Sequence, residues 1–264
     1  MRAADHGYFR TDRPVGLAHR GGSFTSPNLG RENTIAAFRT AVRLGFGYIE
    51  TDVQATADGV LLVFHDDRLE RVTDGRGVIA TQRYAEVARA RTVAGDPIPT
   101  LDEVLEEFPQ TRFNIDCKTP QAVAPLVDTL TRHRAVGRVC VGSFSAARLA
   151  SLRSALGPQL ATAAGPRGVA GLRFTPGVLS RLLHSSAPVL QIPLITQVGG
   201  RPVRIFTEGL LQRAHRLGKH VHVWTIDEPT EMERLLDLGV DGLVTDRIDL
   251  LADVFAGRGH PLRA

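Results

Sequence analysis

Short strand-like segments alternate with amphipathic helical stretches along the whole chain of 264 residues. The strand-like segments lie at 16–19, 48–53, 112–117, 138–142, 160–164, 189–192, 220–224 and 242–245. Successive parallel strands need a long crossover between them, and that crossover is usually a helix. Repeated alternation of this kind predicts an α/β fold, a closed (β/α)8 or TIM barrel. A doubly wound open sheet is the alternative.

No internal repeat or low-complexity linker divides the chain, so we expect one domain over about residues 14–256. The longest irregular stretch is 66–99, with a short helical segment of its own near 84–89. We interpret this stretch as a small insertion over one end of the barrel.

One strand-like segment, 60–64, breaks the alternation with helices. It follows an Asp-Gly pair, which is a strong hairpin signal. We therefore predict that it runs antiparallel to the second strand. The fold-back places His65 beside Glu50 or Asp52 by local structure alone.

Side-chain alternation sets the direction of the charged residues. Successive residues of a strand face opposite sides of the sheet, so Glu50 and Asp52 share one face, and Asp116 and Lys118 share another. Their strand neighbours are apolar and suit packing against helices. The charged sets should therefore face the barrel mouth, where the carboxyl ends of the strands carry the chemistry of barrel enzymes.

Glu50, Asp52 and Asp116 form the predicted metal site. Oxygen ligands suit Mg²⁺ or Ca²⁺ rather than zinc, and buried carboxylates need a cationic partner. The alternative is that each carboxylate forms a structural ion pair with Arg20 or Lys118.

Two histidines and two cations complete the predicted site. His19 and His65 are the candidate acid–base pair, because an imidazole pKa near 6.5 allows one ring to be neutral and one protonated near neutral pH. Arg20 and Lys118 are the candidate phosphate-binding residues, since a guanidinium fork and an ammonium both suit phosphate oxygens.

Three further residues are candidates for supporting roles. Trp224 ends a predicted strand and Phe144 follows another, so either side chain is a candidate wall for the substrate pocket. A packing role is the open alternative for both. Glu32 lies in the loop after the first strand and is a candidate partner for the metal site or Arg20.

Composition excludes several function classes. The net charge is +4, and no dense basic run accompanies it, so we expect no nucleic-acid partner. The two cysteines suggest neither a disulfide framework nor a zinc site. No apolar run is long enough for a membrane helix, and the first residues lack the apolar centre of a secretory signal. We expect a cytoplasmic protein with a small-molecule substrate and no stable membrane insertion; the oligomeric state is left open.

Several motifs occur together in a fixed order. They are HRG, RENTIAAF, IETDVQATADGVLLVFHDDRLERVTDGRG, IPTLDEVL, NIDCK, VHVWTID and GVDGLVTD. As an ordered set they resemble the glycerophosphodiester phosphodiesterase family over nearly the whole chain. Two departures stand out: the usual Pro-Glu-Asn-Thr begins with Arg31, and the third carboxylate, usually glutamate, is the shorter Asp116.

The resemblance implies a (β/α)8 barrel that hydrolyses glycerophosphodiesters to glycerol 3-phosphate and an alcohol with a divalent cation. It places Glu50, Asp52 and Asp116 on metal positions, His19 and His65 on catalytic positions, and Arg20 and Lys118 on phosphate-contacting positions. We expect His19 to act as base and His65 as acid; either water or the glycerol 2-hydroxyl is the nucleophile. A lysophospholipase D-type enzyme and a non-catalytic glycerophosphodiester-binding barrel are the alternatives.

Overall fold

The computed structural model describes residues 2–9, 14–175, 185–260 and 262. The strands are β1 Val15–His19, β2 Tyr48–Ala55, β3 Leu61–Val63, β4 Arg112–Cys117, β5 Val139–Gly142, β6 Ala161–Thr162, β7 Val189–Pro193, β8 Ile195–Val198, β9 Arg201–Arg204, β10 His220–Trp224 and β11 Gly242–Thr245. The α-helices are α1 Ile35–Arg43, α2 Tyr84–Val87, α3 Leu101–Glu107, α4 Val123–Arg132, α5 Ala146–Leu156, α6 Pro166–Phe174, α7 Glu208–Arg216, α8 Pro229–Asp237 and α9 Ile248–Gly257. Part of the predicted domain 14–256, residues 176–184, lies outside the described residues.

Eight parallel strands form a nearly closed barrel. Neighbouring strands follow the order β6-β5-β4-β2-β1-β11-β10-β7. The ring closes between β6 and β7 through a parallel bridge that joins Ala163 to Val189. The prediction of a (β/α)8 barrel is confirmed, and the open-sheet alternative is wrong.

The outward faces of the strands pack against the helices, as the alternation predicted. Ile49, Val53, Phe113 and Ile115 are fully buried in the main apolar cluster between sheet and helices. Full burial of one such side chain contributes about 1.5–3 kcal/mol. This burial fixes the register of β2 and β4, because a slip of one residue would turn their carboxylates into the apolar layer.

The barrel interior is filled by side chains at the end opposite the mouth. The N-terminal residues Tyr8 and Phe9 are buried against Tyr48, the first residue of β2. The Tyr48 hydroxyl donates a hydrogen bond to the backbone carbonyl of Tyr8 at 2.8 Å. The cavity is therefore confined to the carboxyl end of the strands.

Two hairpins extend from the barrel. β3 pairs antiparallel with β2, with Val53 opposite Val63, as predicted. The second hairpin, β8 with β9, follows β7 and was not predicted from the sequence. The predicted insertion follows β3 and has an apolar cluster of its own, which includes Leu69, Ile79 and Val87.

No helix in the described part of the chain has both the length and the apolarity needed to span a membrane.

Candidate active site

A cavity of about 540 Å³ opens at the carboxyl ends of the barrel strands. Nine of the ten residues singled out from the sequence line it: His19, Arg20, Glu50, Asp52, His65, Asp116, Lys118, Phe144 and Trp224. Glu32 stands behind Arg20 instead. The topology thus gathers side chains that are far apart in the chain.

His19 is held by a carboxylate that the sequence prediction missed. Its Nδ1 lies 2.9 Å from Oδ1 of Asp246, and its Nε2 lies 3.8 Å from Oε2 of Glu50. An ionised carboxylate only accepts, so Nδ1 carries the proton and Nε2 is the reactive nitrogen. Burial lowers the pKa of His19, but the hydrogen bond to Asp246 and the charge of Glu50 outweigh burial and leave that pKa raised.

Asp246 follows β11 directly and is itself held by hydrogen bonds of its side chain and its backbone. The Ser23 hydroxyl donates to its Oδ1, and its backbone N–H donates to Oδ1 of Asp227 at 2.8 Å. Burial raises the pKa of Asp246, but the hydrogen bonds from His19 and Ser23 outweigh burial and leave that pKa lowered. Asp246 is therefore an ionised partner for the His19 ring. Its position directly after the last barrel strand was the feature of the sequence that could have identified Asp246 as a site residue.

His65 enters the cavity from the hairpin formed by β2 and β3. Its backbone carbonyl accepts a hydrogen bond from Nε2 of Gln54 at 3.1 Å, which ties it back to β2. Its Nδ1 lies 2.5 Å from Oδ1 of Asp66. The hairpin prediction is confirmed in that His65, Glu50 and Asp52 line one cavity.

Arg20 adopts a backbone conformation that is unusual for a residue with a side chain. Its φ is +50°, in the left-handed region, which costs on the order of 1 kcal/mol and is often found at functional sites. A hydrogen bond from its N–H to the Glu50 carbonyl, 2.9 Å long, holds this turn. Its guanidinium lies 3.1 Å from Oε1 of Glu32 and 3.4 Å from Oδ2 of Asp52.

Lys118 lies between two of the three candidate metal ligands. Its Nζ is 2.8 Å from both Oδ1 of Asp52 and Oδ2 of Asp116. Burial raises the pKa of Asp52, but Lys118 and Arg20 outweigh burial, so that pKa is lowered. This is the ion-paired arrangement that the sequence offered as the alternative to a metal site.

Glu50 lacks comparable compensation. Burial and the neighbouring charge of Asp52 raise the pKa of Glu50 to about 7. Asp52 and Asp116 are register partners on β2 and β4, so their carboxylates share one region of the mouth. An under-compensated buried carboxylate beside two others fits the chemistry of a hard cation. Among the described residues, no three or more His, Cys, Asp or Glu side chains are grouped so that they could hold a metal ion. The metal site therefore stays a prediction.

The far wall of the cavity is apolar. It is formed by Trp224 at the end of β10, by Val169 and Phe174 of α6, and by Val198 of the β8–β9 hairpin. Phe144 stands at the rim with 69% of its surface exposed. The cavity thus joins a charged side, suited to phosphate, to an apolar side.

Residues 19–250 match the glycerophosphoryl diester phosphodiesterase family. The chain belongs to this family. A Mycobacterium tuberculosis protein named probable glycerophosphodiester phosphodiesterase 2 is 39% identical to it over 255 residues, which is 96% of this chain and 95% of that protein. A rat (Rattus norvegicus) lysophospholipase D is 30% identical over 263 residues, which is 87% of this chain and 82% of that protein.

Among solved structures, an Oleispira antarctica phosphodiesterase in complex with the product sn-glycerol-3-phosphate superposes with a TM-score of 0.76. Its sequence is 26% identical, and the match covers 92% of this chain and 97% of that one. The span that matches the glycerophosphoryl diester phosphodiesterase family includes every site residue named above, Asp246 among them.

Proposed function

We propose that this chain hydrolyses glycerophosphodiesters to glycerol 3-phosphate and an alcohol. The observation that carries the proposal is the pair of histidines, His19 and His65, each held through Nδ1 by a carboxylate in one cavity with Arg20 and Lys118. Family membership and the product complex of the Oleispira relative support the same reaction. A site that only bound phosphate would need the cations but not two oriented imidazoles.

The chain's own residues account for binding and proton transfer. Arg20 and Lys118 exchange their carboxylate partners for phosphate oxygens and offset the charge of the diester. The neutral histidine takes the proton of the nucleophile as the new P–O bond forms. The protonated histidine gives its proton to the alcohol oxygen as the old P–O bond breaks. The nucleophile is either water, which gives glycerol 3-phosphate directly, or the glycerol 2-hydroxyl, which gives a cyclic phosphate; water then attacks that phosphorus and the bond to the 2-oxygen breaks.

The division of roles between the two histidines depends on charge. A base must be neutral, and the raised pKa of His19 favours its protonated form. Part of that increase comes from Glu50. The expected assignment of His19 as base and His65 as acid therefore requires the charge of Glu50 to be offset.

Glu50, Asp52 and Asp116 are the residues that would hold a divalent cation, Mg²⁺ or Ca²⁺. A bound cation supplies Lewis-acid polarisation of a phosphoryl oxygen. Lys118, whose Nζ lies 2.8 Å from both Asp52 and Asp116, would give up these carboxylates to such a cation and would then contact the substrate phosphate. The choice of metal and the cytoplasmic location stay predictions.

The test is the release of glycerol 3-phosphate from glycerophosphocholine, measured with each metal after chelation. His19→Ala, His65→Ala and Glu50→Ala should each lower kcat by about 10²–10⁴, the usual contribution of a proton-transfer group or a key charge. His215→Ala is the matched control, because His215 forms a pair with Asp241 at 2.8 Å away from the cavity. Unchanged activity in a site variant would remove that residue from the mechanism, and activity that survives chelation would remove the metal.

The apolar wall favours a second candidate function, the lysophospholipase D type. Phe144, Phe174 and Val198 are more than half exposed at the rim of the cavity, where an acyl chain attached to the glycerol could lie. The rat relative carries this activity in its name. The two candidates share the same phosphodiester chemistry and differ in what the apolar wall contacts.

A further inference from the structure

Arg71, in the insertion, joins two parts of the active site without lining the cavity itself. Its Nη1 and Nη2 donate to the two carboxylate oxygens of Glu32 at 2.9 and 2.7 Å. Its Nε and Nη2 donate to the two oxygens of Asp66 at 2.5 and 3.1 Å. One guanidinium thus forms bidentate contacts with two carboxylates at once, a geometry that only arginine offers.

Each of these carboxylates holds a residue of the proposed machinery. Oδ1 of Asp66 also lies 2.5 Å from Nδ1 of His65. Oε1 of Glu32 also accepts from Nη1 of Arg20 at 3.1 Å. The continuous path therefore runs from the histidine, through Asp66, Arg71 and Glu32, to the phosphate-binding arginine.

The burial of the partners makes this network more than a surface ion pair. The side chains of Glu32 and Asp66 are 15% and 21% exposed, whereas Arg71 is 46% exposed. Isolated surface pairs contribute little, but bidentate networks with fixed geometry contribute more. Burial raises the pKa of Asp66, but hydrogen bonds from Arg71 and His65 outweigh burial and bring that pKa to about 2.

Contacts within the insertion hold the backbone on the C-terminal side of Arg71. The neighbouring Val72 packs on the buried cluster of the insertion that contains Leu69 and Ile79. The Thr73 hydroxyl donates to the Leu69 carbonyl at 2.7 Å and closes the turn around Arg71. The backbone that carries Arg71 is therefore held by the insertion, while its guanidinium also contacts Glu32 in the loop after β1.

We propose that Arg71 is a positioning residue that fixes His65 and Arg20 relative to each other, so that the proton-transfer and phosphate-binding arms of the site are set together by the insertion. This inference rests on the proposed function. It gives the insertion a role in orienting the site. Arg71 acts through Asp66 and Glu32 and does not contact the reacting atoms.

The experiment separates the two arms with Arg71→Met, Glu32→Gln and Asp66→Asn in the full chain. Glu32→Gln should raise KM and the Kd for inorganic phosphate, and leave kcat within about twofold. Asp66→Asn should lower kcat and leave the phosphate Kd unchanged. Arg71→Met should lower kcat and raise the phosphate Kd, each by about tenfold, which is the lower range for loss of a hydrogen bond to a charged group. Arg71→Lys should restore either kcat or the phosphate Kd but not both, since an ammonium cannot form two bidentate pairs.

Arg71→Met should add little to the change in phosphate Kd caused by Glu32→Gln, because glutamine has already lost the charge and one of the two acceptor oxygens that Arg71 uses. Arg68→Met is the matched control: Arg68 lies in the same insertion and forms a 2.7 Å ion pair with Glu70. An Arg71→Met variant with wild-type kcat and phosphate Kd would overturn the proposal. The proposal would also be overturned if Arg68→Met changed kcat and the phosphate Kd as much as Arg71→Met does. It would likewise be overturned if the effects of Arg71→Met and Glu32→Gln on the phosphate Kd were fully additive.

Two measurements keep this test separate from the proposed function. The phosphate Kd and the ¹⁵N NMR signal of the His65 ring need no turnover. A wild-type chain that fails to hydrolyse glycerophosphocholine would overturn the proposed function. Unchanged phosphate Kd and His65 signal in Arg71→Met would overturn the role of Arg71 alone.

Discussion

At the scale of single residues, the two candidate catalytic histidines are held in the same way by unrelated parts of the chain. Asp246 comes from the end of the last barrel strand, and Asp66 comes from the insertion. In both cases Nδ1 meets a carboxylate, which leaves Nε2 as the nitrogen available for proton transfer in a ring that lines the cavity. The orientation of the imidazoles is therefore as important to the site as their presence.

Asp246→Asn should test this orientation for His19. The amide can offer an N–H to Nδ1 and so stabilise the wrong tautomer, which leaves Nε2 protonated. We expect kcat to fall by about 10² or more. Because Asp246 raises the pKa of His19, its loss should also shift the His19 limb of the pH–rate profile to lower pH. Asp102→Asn is the control, as Asp102 holds His133 at 2.6 Å away from the cavity. An unshifted profile with wild-type kcat would contradict the prediction.

The catalytic residue types could be predicted from the sequence, but their partners could not. His19 ends β1, Asp116 is next to the last residue of β4, and Glu50 and Asp52 lie within β2. In each case alternation and barrel topology predict the direction of the side chain. Asp246 and Arg71 act through contacts between distant segments, with His19 and Glu32 respectively, whereas Asp66 directly follows the His65 that it contacts. Asp246 is 227 residues from His19, and no local pattern encodes that contact.

At the scale of elements, the two hairpins show which signals a sequence carries. The β2–β3 hairpin joins buried strands through an Asp-Gly turn, so the strand-like apolar segment and the turn chemistry together predicted it. The β8–β9 hairpin turns at Gly199 and Gly200, with φ of +56° and +76°. Its strands are mostly exposed, so they carry no buried and exposed alternation. The turn signal alone did not identify the pair.

The β8–β9 hairpin and α6 form the apolar wall, so they should decide substrate size. Phe174→Ser and Val198→Ser should each lower activity on lysophosphatidylcholine by about tenfold, the scale of losing one apolar contact surface of this size. Activity on glycerophosphocholine should stay within about twofold. Val93→Ser is the control, because Val93 is 77% exposed and outside the cavity. If the wild-type chain does not cleave lysophosphatidylcholine, or the ratio of the two activities is unchanged, the wall has another role.

At the scale of the whole molecule, a buried histidine lies in the barrel below the active site. His222 on β10 is fully buried, and its two ring nitrogens have no hydrogen-bond partner within the described part of the chain. Burial and the neighbouring His220 lower the pKa of His222 to about 3. The folded protein therefore keeps this ring neutral where an unfolded chain would protonate it.

The free energy of unfolding should fall as the pH drops from about 6.5 towards 3, the ordinary and folded pKa values of His222. In that window the unfolded state binds a proton that the folded state excludes, which costs up to about 1.4 kcal/mol per pH unit. His222→Leu should flatten this slope in urea titrations at several pH values. His215→Leu, at an exposed ring, should leave the slope unchanged. If the free energy of unfolding fell equally steeply with pH in His222→Leu and the wild type, other groups would cause the loss of stability in acid.

The hydrogen bonding of the barrel is not uniform around its circumference. β6 has two residues, and the ring closes beside it through the bridge between Ala163 and Val189 and a 2.8 Å hydrogen bond from the Ala164 N–H to the Val189 carbonyl. The elements with the fewest hydrogen bonds open at the lowest free energy. Ala163 and Ala164 also line the cavity. The junction of β6 and β7 is therefore also part of the cavity wall, and we expect local opening of the sheet at this junction before it opens between the longer strand pairs.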